Sequence, residues 1–211
     1  MASMNVYPSK VQYHKGIRLL KLSMEDRVAI LIGKHLAETL FEGRIRRDRQ
    51  PTVRHSRAVA LKADELGLSI YAQVLSWDHD LPEDCNVTPE EIGEYFGDMA
   101  DRIAFGLDAL THREGEPVEE YFGRIIEASK TEFEIVVVKL IDRWHFHLCP
   151  YGGSKEKEAA KAIETLTSFK NMSECCRQYI PKHFLLIYDE LLKEVLGLAT
   201  AKLTELSVAL P

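Results

Sequence analysis

The sequence predicts an all-α protein built as a single domain over residues 1–211. Three observations carry this. Apolar residues recur at helical spacing in one segment after another; helix-start signatures stand in front of several of these segments; and the one strongly β-branched run has no partner strand anywhere in the chain. No internal repeat, low-complexity tract or Ser/Gly linker divides the chain.

The elements follow in order. Ser23 precedes a segment in which Val28, Ile32, Leu36 and Leu40 fall on one helical face, and Gly43 is placed to end it. In "TPEE" (88–91), Thr88 is an N-cap, Pro89 opens the first turn and Glu91 closes a capping box. Gly97 ends that short helix. Asp98 caps the next, with Met99, Ile103, Leu107 and Leu110 at helical spacing. Pro117 opens another helix, and a long amphipathic one runs over 181–206, with Phe184, Ile187, Leu191, Val195 and Leu198 in step. The run "FEIVVVKLID" (133–142) has strand propensity. A strand without a sheet would leave its backbone groups unpaired, so the run reads as a buried helix, with "TEFE" (131–134) as its capping box.

Bulk composition excludes several roles. Hydrophobic residues make up 45% of the 211 and charged residues 28%, as in ordinary globular proteins, and the net charge of −6 gives no global pull toward nucleic acid or anionic membrane. The local exception is "RIRRDRQPTVRHSR" (44–57), with six arginines in fourteen residues: either a solvated loop or an anion site for a small ligand. Four cysteines, at 85, 149, 175 and 176, form no CxxC pair. No secretory segment or membrane-length apolar run is present, so the expected home is the reducing cytoplasm. "MAS" before Met4 reads as a cloning remnant or as native sequence.

The stretch "WDHDLPED" (77–84) concentrates four acids and a histidine directly after the apolar "YAQVL". A divalent metal needs imidazole nitrogens and carboxylate oxygens converging from separate elements. The candidates are His55, the adjacent His79–Asp80 pair and Asp142. A helix end forced by Pro82 would let both members of the pair point inward. Asp142 closes the most apolar helix, where an unpaired carboxylate is costly; its partner is a bound cation, or else Arg143 or another arginine.

Taken together, these residues resemble the HD superfamily of metal-dependent phosphohydrolases, and within it the hydrolase domain of the RelA/SpoT alarmone enzymes. "RRDRQPTVRH" stands where that family has a basic segment leading into its first metal histidine, with Arg46, Arg47 and Pro51 in place. "WDHDLPED", "VTPEEIGEYFGDMADRIAFGLDALT" and "VVKLIDRWHF" follow in the family's order, and the likeness is strongest over 44–146. The resemblance implies that His55, His79, Asp80 and Asp142 hold a metal, Mn2+ by family habit, although nothing in the spacing selects it over iron, cobalt or magnesium. It implies that Glu83 and Asp84 activate the attacking water, and that Arg46, Arg47, Arg143 and Phe146 meet the substrate. That substrate is a small-molecule nucleotide, with removal of the 3′-pyrophosphate from (p)ppGpp as the leading case. Alarmone synthesis is not expected, since 211 residues leave no room for a synthetase domain.

The chain also departs from the alarmone pattern. Asp48-Arg49 replaces a Ser-Gly, Thr52 an aromatic residue, His112 a lysine and Phe146 an asparagine. The resemblance places several of these positions around the nucleotide, so the chemistry is expected to persist and the pocket to differ. The alternatives are an HD-type nucleotidase or nucleoside-triphosphate hydrolase on another nucleotide, or a sensor without turnover, which the intact Glu83 and Asp84 argue against. His145 and His147 are expected to stand behind the ligands or at the surface; His14, His35, His112 and His183 have no motif context.

Overall fold

A computed structural model describes residues 22–46, 49–149 and 154–207. The expectations on Met1–Ser3, His14, Arg47 and Asp48 lie outside the described residues. Among the described residues the structure is helical, its one β feature being an isolated bridge between Ile45 and Pro51.

The first helix, α1 (Met24–Leu40), starts where the sequence places it. Ser23 accepts from the Asp26 amide and Asp26 reaches back to the Ser23 amide, a reciprocal cap. Its buried face is not the expected one. Ala29, Gly33 and Ala37 face inward, while Val28 is 44% exposed and Ile32, Leu36 and Leu40 are only half-buried. Small residues bring α1 close to α3 (Ile70–Asp78): a Cβ at Gly33 would lie 3.1 Å from an Asp78 carboxylate oxygen.

Helix α3 is buried almost throughout and packs against α1 and α2 (Val53–Glu65). After it come α4 (Leu81–Cys85) and α5 (Pro89–Gly93), the latter with the Thr88–Glu91 capping box in place. A 3-10 turn over Glu94–Met99 leads into α6 (Ala100–Leu110). Gly97, at φ +55, breaks the helical path inside that turn, while α5, which it was expected to end, already stops at Gly93. The N-cap of α6 is Met99 and not Asp98, and no side chain caps it. Gly106 lets α6 press onto α3, since a Cβ there would clash with the Tyr71 hydroxyl.

Pro117 precedes α7 (Val118–Ser129), as read from the sequence. The β-branched run is α8 (Glu134–Leu148), with Ile135, Val136, Val137, Val138, Leu140 and Ile141 fully buried. Each such side chain contributes about 1.5–3 kcal/mol on burial, which outweighs the small helix penalty of β-branching. The "TEFE" box does not form. Phe133 takes the N-cap, and Glu134 accepts from the amide (2.7 Å) and hydroxyl of Ser69, tying α8 to the start of α3. Asp142 lies inside α8, which continues six residues beyond it. Last come α9 (Lys155–Glu164), a π-turn over Thr165–Phe169, α10 (Lys170–Cys176) and the long α11 (Leu185–Glu205), which starts four residues after Pro181. Helix α11 packs along α8 with Tyr188, Leu191 and Val195 buried. Helices α2, α3 and α8 meet one another, and the candidate site lies where their polar residues converge.

Candidate metal centre

His55 stands in the first turn of α2, His79 ends α3, and Asp80 precedes α4. Pro82 explains the junction. It has no N–H to donate to the Asp78 carbonyl, so α3 cannot continue through it. A new helix begins with the Asp84 amide donating to the Asp80 carbonyl at 3.0 Å, which sets the adjacent His and Asp on one side.

Four side chains converge. His55 Nε2 lies 3.1 Å from His79 Nε2, 3.1 Å from Asp142 Oδ1 and 3.4 Å from Asp80 Oδ2. His79 Nε2 lies 3.2 Å from Asp80 Oδ1 and 3.8 Å from Asp142 Oδ1. Donors about 2.1 Å from a shared ion stand about 3.0 Å apart at right angles and about 3.4 Å apart in a tetrahedron. Four of the five separations fall between these two spacings, so the group could hold one cation. Among the described residues, His55, His79 and Asp80 form the one compact group of potential ligands, and Asp142 adjoins it through its contacts with both imidazoles. Two imidazoles and two carboxylates, without thiolate, suit a divalent ion of borderline hardness.

The His79 tautomer fits ligation. Its Nδ1 lies 3.1 Å from the Ser76 carbonyl, so Nδ1–H donates there and Nε2 is the atom turned to the centre, with a lone pair for an ion once its proton is released. Burial disfavours the His79 cation, yet Asp80 and Asp142 outweigh it and raise the pKa to about 9. Burial likewise opposes charge on Asp142, but Lys139, His55 and His79 hold its carboxyl well below the usual range. Lys139 Nζ sits 2.8 Å from Asp142 Oδ2. The signal for this pair in the sequence is the K-x-x-D spacing, which sets the two side chains on one helix face.

Glu83 and Asp84, on α4, face the same cluster. Glu83 accepts from the His112 amide at 2.7 Å. Partial desolvation raises its pKa, opposed by Lys139 and that amide. For Asp84, desolvation and then Asp80 raise the pKa, while Arg46 and Arg44 lower it. Arg44 donates to the Asp84 carbonyl, and Thr52 donates its amide to the Arg44 carbonyl, which holds the described part of the basic segment beside α4. Arg46 is therefore close to the acidic pair.

One expectation needs correction. Arg143 does not face the cluster. Its guanidinium, 2% exposed, donates to Thr165 Oγ1 at 3.0 Å and to Glu164 at 2.7 Å, and lies over the Phe169 ring. One residue along a helix turns the side chain by about 100°, so adjacency to Asp142 in sequence is separation in space. Of the two places expected for His145, behind the ligands or at the surface, the structure shows the first: it is buried with Nδ1 2.8 Å from His55 Nδ1. Burial, His55 and Arg46 push its pKa down to about 3, which keeps it neutral. Phe146 lies one turn beyond Asp142, half-buried, with its ring edge-on to His147 at 5.2 Å. Sequence reading also passed over Asp78. It is fully buried, neither carboxylate oxygen has a hydrogen-bond partner among the described residues, and burial raises its pKa well above the normal range.

An all-helical domain that gathers a histidine, an adjoining His-Asp pair and a distant aspartate at one point is consistent with an HD-type domain. Its relatives in sequence are the RelA/SpoT alarmone enzymes. The chain is 31% identical over 137 residues to a probable GTP pyrophosphokinase of Mycobacterium leprae, covering 62% of this chain and 17% of that protein. It is 30% identical over 112 residues to a guanosine-3′,5′-bis(diphosphate) 3′-pyrophosphohydrolase of Vibrio cholerae, covering 51% and 16%. It is 29% identical over 126 residues to the bifunctional (p)ppGpp synthase/hydrolase SpoT of Escherichia coli, covering 57% and 18%. The chain thus spans less than a fifth of the length of these relatives. No family model matches it.

Proposed function

We propose that this protein is a metal-dependent phosphohydrolase acting on a nucleotide, with release of pyrophosphate from the 3′ position of (p)ppGpp as the leading case. The observation that carries the reading is the convergence of His55, His79, Asp80 and Asp142 beside the carboxylates of Glu83 and Asp84. Relatives named as 3′-pyrophosphohydrolases of guanosine-3′,5′-bis(diphosphate) support the substrate.

The four ligands would hold the ion, and when bound it supplies a Lewis acid for phosphoryl oxygens and acidifies a water. Manganese is the ion that the resemblance implies, and the mixed nitrogen and oxygen donors accept it. Glu83, held by the His112 amide and made more basic by its desolvated setting, takes the proton of the attacking water. Asp84 stands next to it as the second carboxylate. Lys139 balances the negative charge of Asp142. Arg46 offers positive charge to the phosphates, and Arg47 shares that role by its place in the basic segment.

A second reading, hydrolysis of another nucleotide by the same centre, is favoured by Phe146, His112 and Thr52, which differ from the alarmone pattern around the base. The acidic balance of −6 favours a free nucleotide over nucleic acid. We place the protein in the cytoplasm, because all four cysteines are free and no described helix is long and apolar enough to cross a membrane. Manganese-loaded protein assayed against alarmones, nucleoside mono- and triphosphates and cyclic nucleotides tests the proposal. Pyrophosphate release from ppGpp is the expected result, turnover of another nucleotide favours the second reading, and no turnover on any of them refutes both.

A further inference from the structure

Behind the ligand cluster runs a line of side chains that the proposed reaction leaves unused. His55 turns Nε2 toward His79, Asp80 and Asp142, and Nδ1 toward His145. The two Nδ1 atoms are 2.8 Å apart. On the far side of the second ring, His145 Nε2 lies 3.2 Å from Sγ of Cys149, one turn further along α8. Both rings are buried, at 3% and 8% exposure.

Proton counting fixes the roles of these atoms. A neutral imidazole carries one N–H and one lone pair. If His55 gives its Nε2 lone pair to an ion, its proton sits on Nδ1. A 2.8 Å contact between ring nitrogens is a hydrogen bond with one proton in it, so His145 Nδ1 must accept. The proton of His145 is then on Nε2, where Cys149 Sγ is the atom within reach to receive it. The opposite arrangement fails as a metal site. With the proton on His145 Nδ1, His55 Nδ1 would be the acceptor and Nε2–H would point into the cluster.

We infer that His145 is a positioning residue of the metal centre: it accepts the Nδ1–H of His55, is held in that tautomer by the sulfur of Cys149, and so fixes Nε2 of His55 as the ligand atom. This inference rests on the metal-centre reading above. His79 receives the same service from a main-chain carbonyl, at Ser76. Using a neutral ring for His55 has a physical consequence. A carboxylate in that place would add a third negative charge beside Asp80 and Asp142, whereas imidazole orients the ligand without changing the charge of the site. Loss of such an orienting partner typically weakens metal binding by about 10–100-fold.

The test uses zinc as a diamagnetic probe and the full chain labelled with 15N-histidine. Long-range 1H–15N correlation spectra of the zinc-loaded protein should show His55 protonated at Nδ1 and His145 protonated at Nε2. Affinity is measured alongside, by competition with a chelator. His145→Leu, which fills the space without an acceptor, should bind zinc about 10–100-fold more weakly. His145→Gln, whose amide carbonyl can accept from His55 and whose NH2 can donate to sulfur, should stay within a few-fold of wild type, as should Cys149→Ser. Thermal melts without zinc establish that each variant is folded. Zinc bound with the proton on His145 Nδ1, or equal affinities for the Leu and Gln variants, would overturn this inference and leave the metal centre standing. Failure of the wild type to bind zinc would overturn both.

Discussion

Lys139 is the residue through which the electrostatics of the centre can be tested without touching a ligand. Its ammonium lies 2.8 Å from Asp142 Oδ2, and the two side chains are only 12% and 16% exposed. Burial opposes charge on Lys139, but Asp142, Tyr121 and Glu83 raise its pKa above that of an ordinary lysine. Lys139→Met keeps the length of the side chain and removes the charge. Removing one partner of a buried ion pair costs about 3–5 kcal/mol, because the other charge is left uncompensated. His55 and His79 still adjoin Asp142, so the lower end applies, about 3 kcal/mol. For a domain of this size that corresponds to a fall in Tm of roughly 6–12 °C. The assay is urea unfolding and thermal melting in chelator, repeated with saturating Mn2+. A bound cation supplies the charge that Lys139 supplied, so the loss should shrink when manganese is present. A loss below about 1 kcal/mol in chelator, the range of a surface pair, would refute the reasoning. So would an equal loss with and without manganese.

Other outcomes follow from the same geometry. Glu83→Gln should keep its metal and lose about 10²–10⁴-fold in turnover on the active substrate, as removal of a general base does; activity within a few-fold of wild type would pass the role to Asp84. Phe146→Asn should sharpen the preference for guanine over adenine in matched phosphate esters, because an amide can hydrogen-bond the base while a phenyl ring only stacks or fills space. Unchanged kcat/KM ratios would remove Phe146 from base selection. Asp78 has its pKa raised by burial, so it stays protonated in the fold while the unfolded chain ionises near pH 4. The folded state then binds more protons, and stability should fall by about 1.4 kcal/mol per pH unit as pH rises between the unfolded and folded pKa values. Asp78→Asn should flatten this slope above the unfolded-state pKa; parallel stability curves for the two proteins would contradict the assignment.

What the sequence makes legible here depends on whether the signal is local. Ser23 and Thr88 announce their capping boxes, because a cap is a contact between residues three apart. The helix at 134–148 is legible only by elimination, since burial against α11 and α3, invisible in the chain, decides it against strand propensity. The inward face of α1 is missed for a related reason. Hydrophobic spacing marks Val28 and Leu36, but close packing on α3 is made by Ala29, Gly33 and Ala37, which carry little hydrophobic signal. The candidate ligand set is legible through its resemblance, and the structure brings its four side chains together. Residues behind the ligands are harder. Arg143 looks like a site residue because it is next to Asp142, and the helical turn sends it to Glu164. His145, three residues from Asp142 and so on a neighbouring part of the same face, is the one the fold turns toward His55.

The account stands on one centre formed by side chains from separate helices, and a calorimetric titration of Mn2+ into chelator-stripped protein tests that most directly. Wild type should bind one ion per chain, while His79→Ala and Asp142→Ala, each confirmed folded, should bind none at the same concentrations. Manganese binding that is unchanged in both variants would contradict the centre and the reaction derived from it.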